Sequence, residues 1–123
     1  RDLAVMMQLL LNGGYANGKQ FISEETINYF TSAPYVDNEN RRGIGFDKPD
    51  LDPEAKYYTP SKQSSMASYG HSGFTGTFAW ADPENNLIVI FLSNRVYPTA
   101  DNNKLSELNI RTEIHDLFYE AVK

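Results

Sequence analysis

With no cysteine among its 123 residues this chain can do no thiol chemistry, so the first nucleophile to look for is a serine paired with a lysine or with one of the two histidines, His71 and His115. A serine activated by a lysine one helical turn later requires Ser-x-x-Lys, and none of the six lysines has a serine three positions before it. A Gly-x-Ser-x-Gly elbow is absent too, since Gly70-His71-Ser72-Gly73 has the wrong spacing. Nor do His71 and Ser72 suit each other as base and nucleophile: neighbours on a strand point to opposite faces.

Other chemistries fare no better. The two histidines stand far apart with no carboxylates clustered at ligand spacing, so no metal is implied. Asp50-Leu51-Asp52-Pro53-Glu54 is acidic but lacks the glycine and closing glutamate of a calcium loop, and reads as a solvated turn. His115, on the last helix, is expected at the surface or its boundary. Among 16 Asp and Glu residues no pair stands out for acid–base work. Gly73-Phe74-Thr75-Gly76 opens a strand rather than a helix, so it makes no phosphate cradle. What remains is the run Tyr69-Gly70-His71-Ser72-Gly73-Phe74-Thr75-Gly76-Thr77.

Several elements must position that run. Leu3, Met6, Met7 and Leu10 fall on one face of a helix over residues 3 to 12, with Asp2 as its expected N-cap and Asn12-Gly13-Gly14 as its stop. Residues 14 to 20 read as a turn or short hairpin. Ser23 caps a second helix that carries Glu24 and Glu25 in its first turn and ends at Ala33-Pro34. Gly43-Ile44-Gly45-Phe46 suggests a short strand, and residues 47 to 68, with Pro49, Pro53 and Pro60, one long surface loop. Strands follow over 68 to 72, 77 to 81 and 87 to 92, the second and third joined by Asp82-Pro83-Glu84-Asn85-Asn86. Leu87-Ile88-Val89-Ile90-Phe91-Leu92 is apolar throughout, the pattern of a strand buried on both faces. A final helix over 104 to 122 puts Ile110, Ile114, Leu117, Phe118 and Ala121 on one stripe. The fold class is therefore α+β: two helices, a loop, an antiparallel meander, and a helix laid over it.

Composition bounds the function. A net charge of -5 without a dense basic run argues against nucleic acid or an anionic membrane as the main partner, and no apolar run has transmembrane length. Aromatic residues make up 13% of the chain, too many for a disordered tail. The opening Arg1-Asp2-Leu3 shows no signal-peptide pattern, as is expected of a mature protein or of a piece of a longer one.

The run Gly70-His71-Ser72-Gly73-Phe74-Thr75-Gly76, an aromatic strand, Asp82-Pro83-Glu84-Asn85, an apolar strand and Ser93-Asn94 together resemble the C-terminal part of the serine β-lactamase and penicillin-binding-protein superfamily. Within it the class C β-lactamase, DD-peptidase and esterase branch is nearest. There the strand at the edge of the active site carries Lys-Thr-Gly or His-x-Gly, and His71-Ser72-Gly73 is similar to the latter. Leu11-Asn12-Gly13-Gly14, Gly18-Lys19, Ile22-Ser23-Glu24-Glu25-Thr26 and Gly43-Ile44-Gly45-Phe46 resemble the preceding family elements in order, so the likeness spans essentially the whole chain. The family's Ser-x-x-Lys and Tyr-x-Asn or Ser-x-Asn motifs belong upstream of this region. Tyr15-Ala16-Asn17 spells the latter but falls after the first helix, and is read as coincidence.

The resemblance implies one C-terminal segment of a β-lactamase-like domain over residues 1 to 123, inactive alone, which completes an acyl-transfer site built with the rest of the parent chain. His71, Ser72, Gly73 and the backbone N–H of Phe74 would form its catalytic wall, Phe74 supplying one oxyanion donor and Gly73 leaving room for substrate. His71 would tune the base and help hold a substrate carboxylate; unlike the family's lysine, an imidazole changes charge near neutrality. Asn94 and Arg95 would lie at the substrate-binding end. The implied substrate is a small molecule or a peptidoglycan-type peptide, with no cofactor, in an extracytoplasmic bacterial compartment. A second reading is a non-catalytic module of a larger cell-wall glycosidase, similar to those appended to bacterial family 3 N-acetylglucosaminidases. The apolar last strand, left without its family partner, is expected to self-associate.

Overall fold

A computed structural model describes residues 1–38, 40–52, 54–55 and 60–123. Its core is an antiparallel meander of β3 (Tyr69–Ser72), β4 (Phe78–Asp82) and β5 (Leu87–Phe91), with β4 in the middle. Tyr69 pairs with Ala81, Ser72 with Phe78, and Trp80 with Val89. The two faces of the sheet are covered differently because side chains alternate along each strand. On one face Tyr69 and Ala81 pack with Met7, Leu10 and Leu11 of α1 (Asp2–Leu11) and with Phe46. On the other, Phe78 stacks on Trp80 with ring centroids 5.6 Å apart, and Val89 completes the cluster. The Phe78 ring also meets His115 of α4 (Ile110–Ala121) edge-on at 5.1 Å. The result is helix, sheet, helix.

The N-terminal segments match the sequence reading in outline. α1 begins one residue earlier than expected; Arg1 is its cap position, and Asp2 sits in the first turn rather than capping. Asn12 and two positive-φ glycines end α1, and β1 (Tyr15–Ala16) pairs with β2 (Lys19–Gln20) as a hairpin through Asn17-Gly18. Ser23 caps α2 (Glu24–Thr31), its hydroxyl accepting the Thr26 N–H at 3.2 Å.

Four expectations are corrected. Gly43-Ile44-Gly45-Phe46 forms no strand; only Asp47 makes a bridge, to Gly70. Gly43 serves close packing instead, since a Cβ there would lie 2.6 Å from the Phe30 carbonyl. The segment 47–68 is irregular but not confined to the surface, because Lys48, Pro49, Pro60, Ser61 and Ser68 are buried; Pro53 lies outside the described residues. In β5 only Val89 is buried, and its outer edge is unpaired among the described strands. The last helix is broken: α3 (Lys104–Glu107) and α4 meet at Asn109, whose left-handed φ of 53° resets the axis.

That break also changes which stripe packs inward. Thr112, His115 and Tyr119 are buried, whereas Leu117 and Phe118 of the expected apolar stripe are exposed. No helix among the described residues is long and apolar enough to cross a membrane.

Gly70 shows how tightly the sheet is built around the motif strand. A Cβ at Gly70 would stand 2.2 Å from the Ala79 carbonyl oxygen and 2.3 Å from the Trp80 ring. Gly70→Ala is therefore expected to lower the unfolding free energy by about 1–3 kcal/mol, read as a reduced urea midpoint at unchanged slope.

Candidate active-site wall

The motif strand presents its chemistry at one edge of the sheet. Gly70 pairs with Trp80 on one side, and on the other exchanges two backbone hydrogen bonds with Asp47, at 2.7 and 3.1 Å. The backbone before β3 thereby brings Asp47 and Arg42 alongside His71. Arg42 donates from Nη2 to Asp47 Oδ1 at 3.0 Å and also lies 3.1 Å from His71 Nε2. His71 Nδ1 sits 2.9 Å from the Ser72 carbonyl oxygen and 4.0 Å from Asp47 Oδ2. The His71 side chain is more than half exposed, so it lies on an open face rather than in the core. It meets the carbonyl of Ser72 and not the hydroxyl, which leaves no His71–Ser72 dyad.

Beyond Ser72 the chain turns sharply. Gly73 donates to the Thr77 carbonyl at 2.7 Å and Gly76 to the Gly73 carbonyl at 2.9 Å. Gly76 requires its residue type twice over: its φ is +95°, and a Cβ would come within 2.5 Å of Ser93 Oγ. Gly73 is different. A Cβ there would meet only Thr77, at 3.7 Å or more, so the chain itself does not demand glycine at that position. The N–H of Phe74 has no acceptor among the described residues, and its side chain is 72% exposed.

Arg95 and Asn94 were expected to face substrate. Arg95 instead braces the turn: Nε donates to the Phe74 carbonyl at 2.8 Å, and Nη1 to the carbonyls of Ala100 and Asn102 at 3.0 and 3.1 Å. Its guanidinium also stacks 4.6 Å from the centre of the Phe74 ring. Asn94 is exposed and lines a cavity of about 250 Å³ with Ser93, Arg95, Lys104 and Leu105. A larger cavity, of about 460 Å³, lies away from the motif strand against α2 and is bordered by Lys48, Pro49 and Met66. Burial pulls the Lys48 amine down to about 8, partly offset by Asp82, and its Nζ donates to the Ala67 carbonyl at 3.0 Å.

Two buried polar centres escaped the sequence reading. Asp82, assigned to a turn, is 1% exposed and accepts from Ser65 N (2.8 Å), Ser65 Oγ (2.6 Å), Asn85 Nδ2 (2.9 Å) and Tyr119 OH (2.5 Å). Burial would raise its carboxyl, but the donors from Ser65, Tyr119 and Asn85 win and hold it below the usual carboxylate range. His115, expected at the surface, is 1% exposed and accepts the Ser61 N–H on Nδ1 at 3.2 Å. Ser61 Oγ donates to Asp116 rather than to His115 and is wholly buried, so this Ser, His and Asp conjunction is a strut and not a nucleophile. The signal for it was the spacing of Thr112, His115 and Tyr119, a second stripe on the same helix.

The profile of the family described as Beta-lactamase matches residues 1–112. The chain belongs to the beta-lactamase family. Curated relatives described as "Putative D-alanyl-D-alanine carboxypeptidase" are similar to it: one from Escherichia coli O157:H7 at 37% identity and one from strain K12 at 36%, each over 84% of this chain. One from Salmonella enteritidis PT4 is 34% identical over 85%. The chain spans 23% of the length of each of these relatives. A crystal structure of a beta-lactamase from Mycobacterium bovis superimposes with a TM-score of 0.71 over 98% of this chain and 43% of that one, at 20% identity. At that identity the superposition establishes the fold, a mixed helix and antiparallel sheet architecture of β-lactamase type.

The buried His115 makes stability depend on pH. Burial pushes its imidazole down to about 4 from the ordinary 6.5, against the opposing pull of Asp116 and Asp82. The unfolded chain therefore takes up a proton first as pH falls. The stability contributed is complete above about 6.5 and is lost progressively towards 4. A loss of about 2 kcal/mol between pH 6.5 and 4.5 is expected, and Asp82, held below its ordinary value, contributes only at lower pH. Chemical denaturation across that window checks this, with His115→Asn expected to flatten the slope.

Proposed function

We propose that residues 1–123 are the C-terminal portion of a serine acyl-hydrolase domain, acting on a β-lactam, a D-Ala-D-Ala peptide or an ester through an acyl-enzyme. In this reading they furnish one wall of the site, and the attacking serine and its lysine belong to the remainder of the parent chain. The observation that carries the proposal is the Gly73–Phe74 step: an N–H with no acceptor among the described residues, beside a position where only an incoming ligand would object to a Cβ. An oxyanion forming beside the strand would accept from that N–H, a contact whose loss typically costs about 10²–10³ in rate. Ser72, on the strand before it, offers a hydroxyl to substrate. Arg95 fixes the turn. The names of the curated relatives, and the fraction of their length the chain spans, support the same reading.

In the same view the free edge of β5 is where the family sheet continues or, in its absence, where a second copy joins. The competing reading, a binding module without catalysis, predicts no acylation at all.

Labelling with a fluorescent penicillin separates these readings. The parent protein is expected to become covalently labelled, the 123-residue chain alone not, and replacement of the parent's Ser-x-x-Lys serine to abolish the label. Gly73→Ala in the parent is expected to slow acylation at least about tenfold while moving unfolding stability by less than about 1 kcal/mol. A parent that binds no penicillin and carries no such serine overturns the proposal. Sedimentation of the chain alone is expected to show dimers or larger species through β5, and a monomer at high concentration rejects that contact.

A further inference from the structure

The two histidines are held by partners that can each play only one role. A guanidinium only donates hydrogen bonds and a carbonyl oxygen only accepts them. His71 Nε2, 3.1 Å from Arg42 Nη2, must therefore be the unprotonated nitrogen. His71 Nδ1, 2.9 Å from the Ser72 carbonyl oxygen, must carry the proton, and Asp47 Oδ2 at 4.0 Å lies on that same donor side. Two neighbours thus require one tautomer, and Asp47 is compatible with it. His115 is the reverse case: its Nδ1 accepts the Ser61 N–H, so its proton sits on Nε2.

We propose that Arg42 is a positioning residue of the motif strand, holding His71 as the neutral Nδ1–H tautomer with its Nε2 lone pair occupied. The proposal deepens the acyl-hydrolase reading of this strand, on which its functional meaning rests. An N–H at His71 Nε2 would be set donor against donor on the Arg42 guanidinium, so the contact selects the Nδ1–H tautomer while Arg42 keeps its place. Arg42 is itself anchored by Asp47, whose backbone is tied to Gly70 of the same strand. The charges facing the imidazole are those of Arg42 and Asp47, which cancel. Where a lysine would bring one positive charge to this edge, the trio Arg42, Asp47 and His71 brings none. His71 then orients rather than attracts: it offers no free lone pair as a base unless Arg42 first swings away.

Long-range nitrogen–proton NMR of the ¹⁵N-labelled chain distinguishes the tautomers directly, and His115 supplies an internal reference of opposite type. At pH 7.5 His71 is expected to read as Nδ1–H and His115 as Nε2–H. Arg42→Ala is expected to release His71 into a mixture of tautomers, and Arg42→Lys, which preserves a donor without an acceptor, to keep the Nδ1–H form. A structural role for Arg42 alone would leave the tautomer unmoved in every variant that folds. His71 found as Nε2–H, or as the same mixture in the parent chain and in Arg42→Ala, overturns the proposal. The measurement does not depend on turnover, so a parent that fails to react with penicillin defeats the hydrolase reading while the tautomer assignment stands or falls separately.

Discussion

One buried carboxylate organises this molecule. Asp82 closes β4, and its two oxygens gather donors from the irregular segment before β3, from the β4–β5 turn and from α4. A charge out of water is tolerated only when its lone pairs are filled, and here Ser65, Glu84, Asn85 and Tyr119 fill them. Because those donors come from three separate stretches of chain, satisfying Asp82 fixes where each of them lies relative to the sheet. The Ser61–His115 and Ser61–Asp116 bonds repeat the device a few residues away, fastening the same segment to α4. The far end of the meander, at the β3–β4 turn, is left to carry exposed groups.

The division of labour between the two ends follows from that. Around Gly70 the packing is so close that Trp80 leaves no room for a methyl group, whereas at Gly73 the space is open. On the acyl-hydrolase reading proposed above, rigid support on one side and an N–H without an acceptor among the described residues on the other would suit stabilisation of a developing charge, since a donor that must reorganise loses much of its value. The sheet supplies the rigidity, Arg95 restrains the turn, and Arg42 with Asp47 restrains the imidazole beside it.

Much of the strand and turn that carry the candidate site was legible in the residues because the signals are local. Gly70-His71-Ser72-Gly73 with Gly76 marks a strand running into a tight turn, and the apolar run from Leu87 marks the strand that completes the meander. Ser23 declared the start of α2 in the same local way. The failures came where the deciding contact is long-range. Asp82 in an Asp-Pro-Glu-Asn-Asn string has every feature of a solvated turn, and the arrival of Ser65 and of Tyr119 from distant segments makes it a buried centre. The last helix misled for a related reason: its apolar stripe is real, but Asn109 rotates α4 so that Thr112, His115 and Tyr119 meet the sheet. Arg42 and Asp47 were passed over because their relation to His71 runs through a backbone bridge that no periodicity announces.

The bracing by Arg95 also has a mechanical side. A single guanidinium grips the Phe74 carbonyl with one nitrogen and the carbonyls of Ala100 and Asn102 with another. The hairpin tip and the 100–103 stretch are therefore geared together, and whatever tugs on that outer stretch reorients the peptide plane next to the Phe74 N–H.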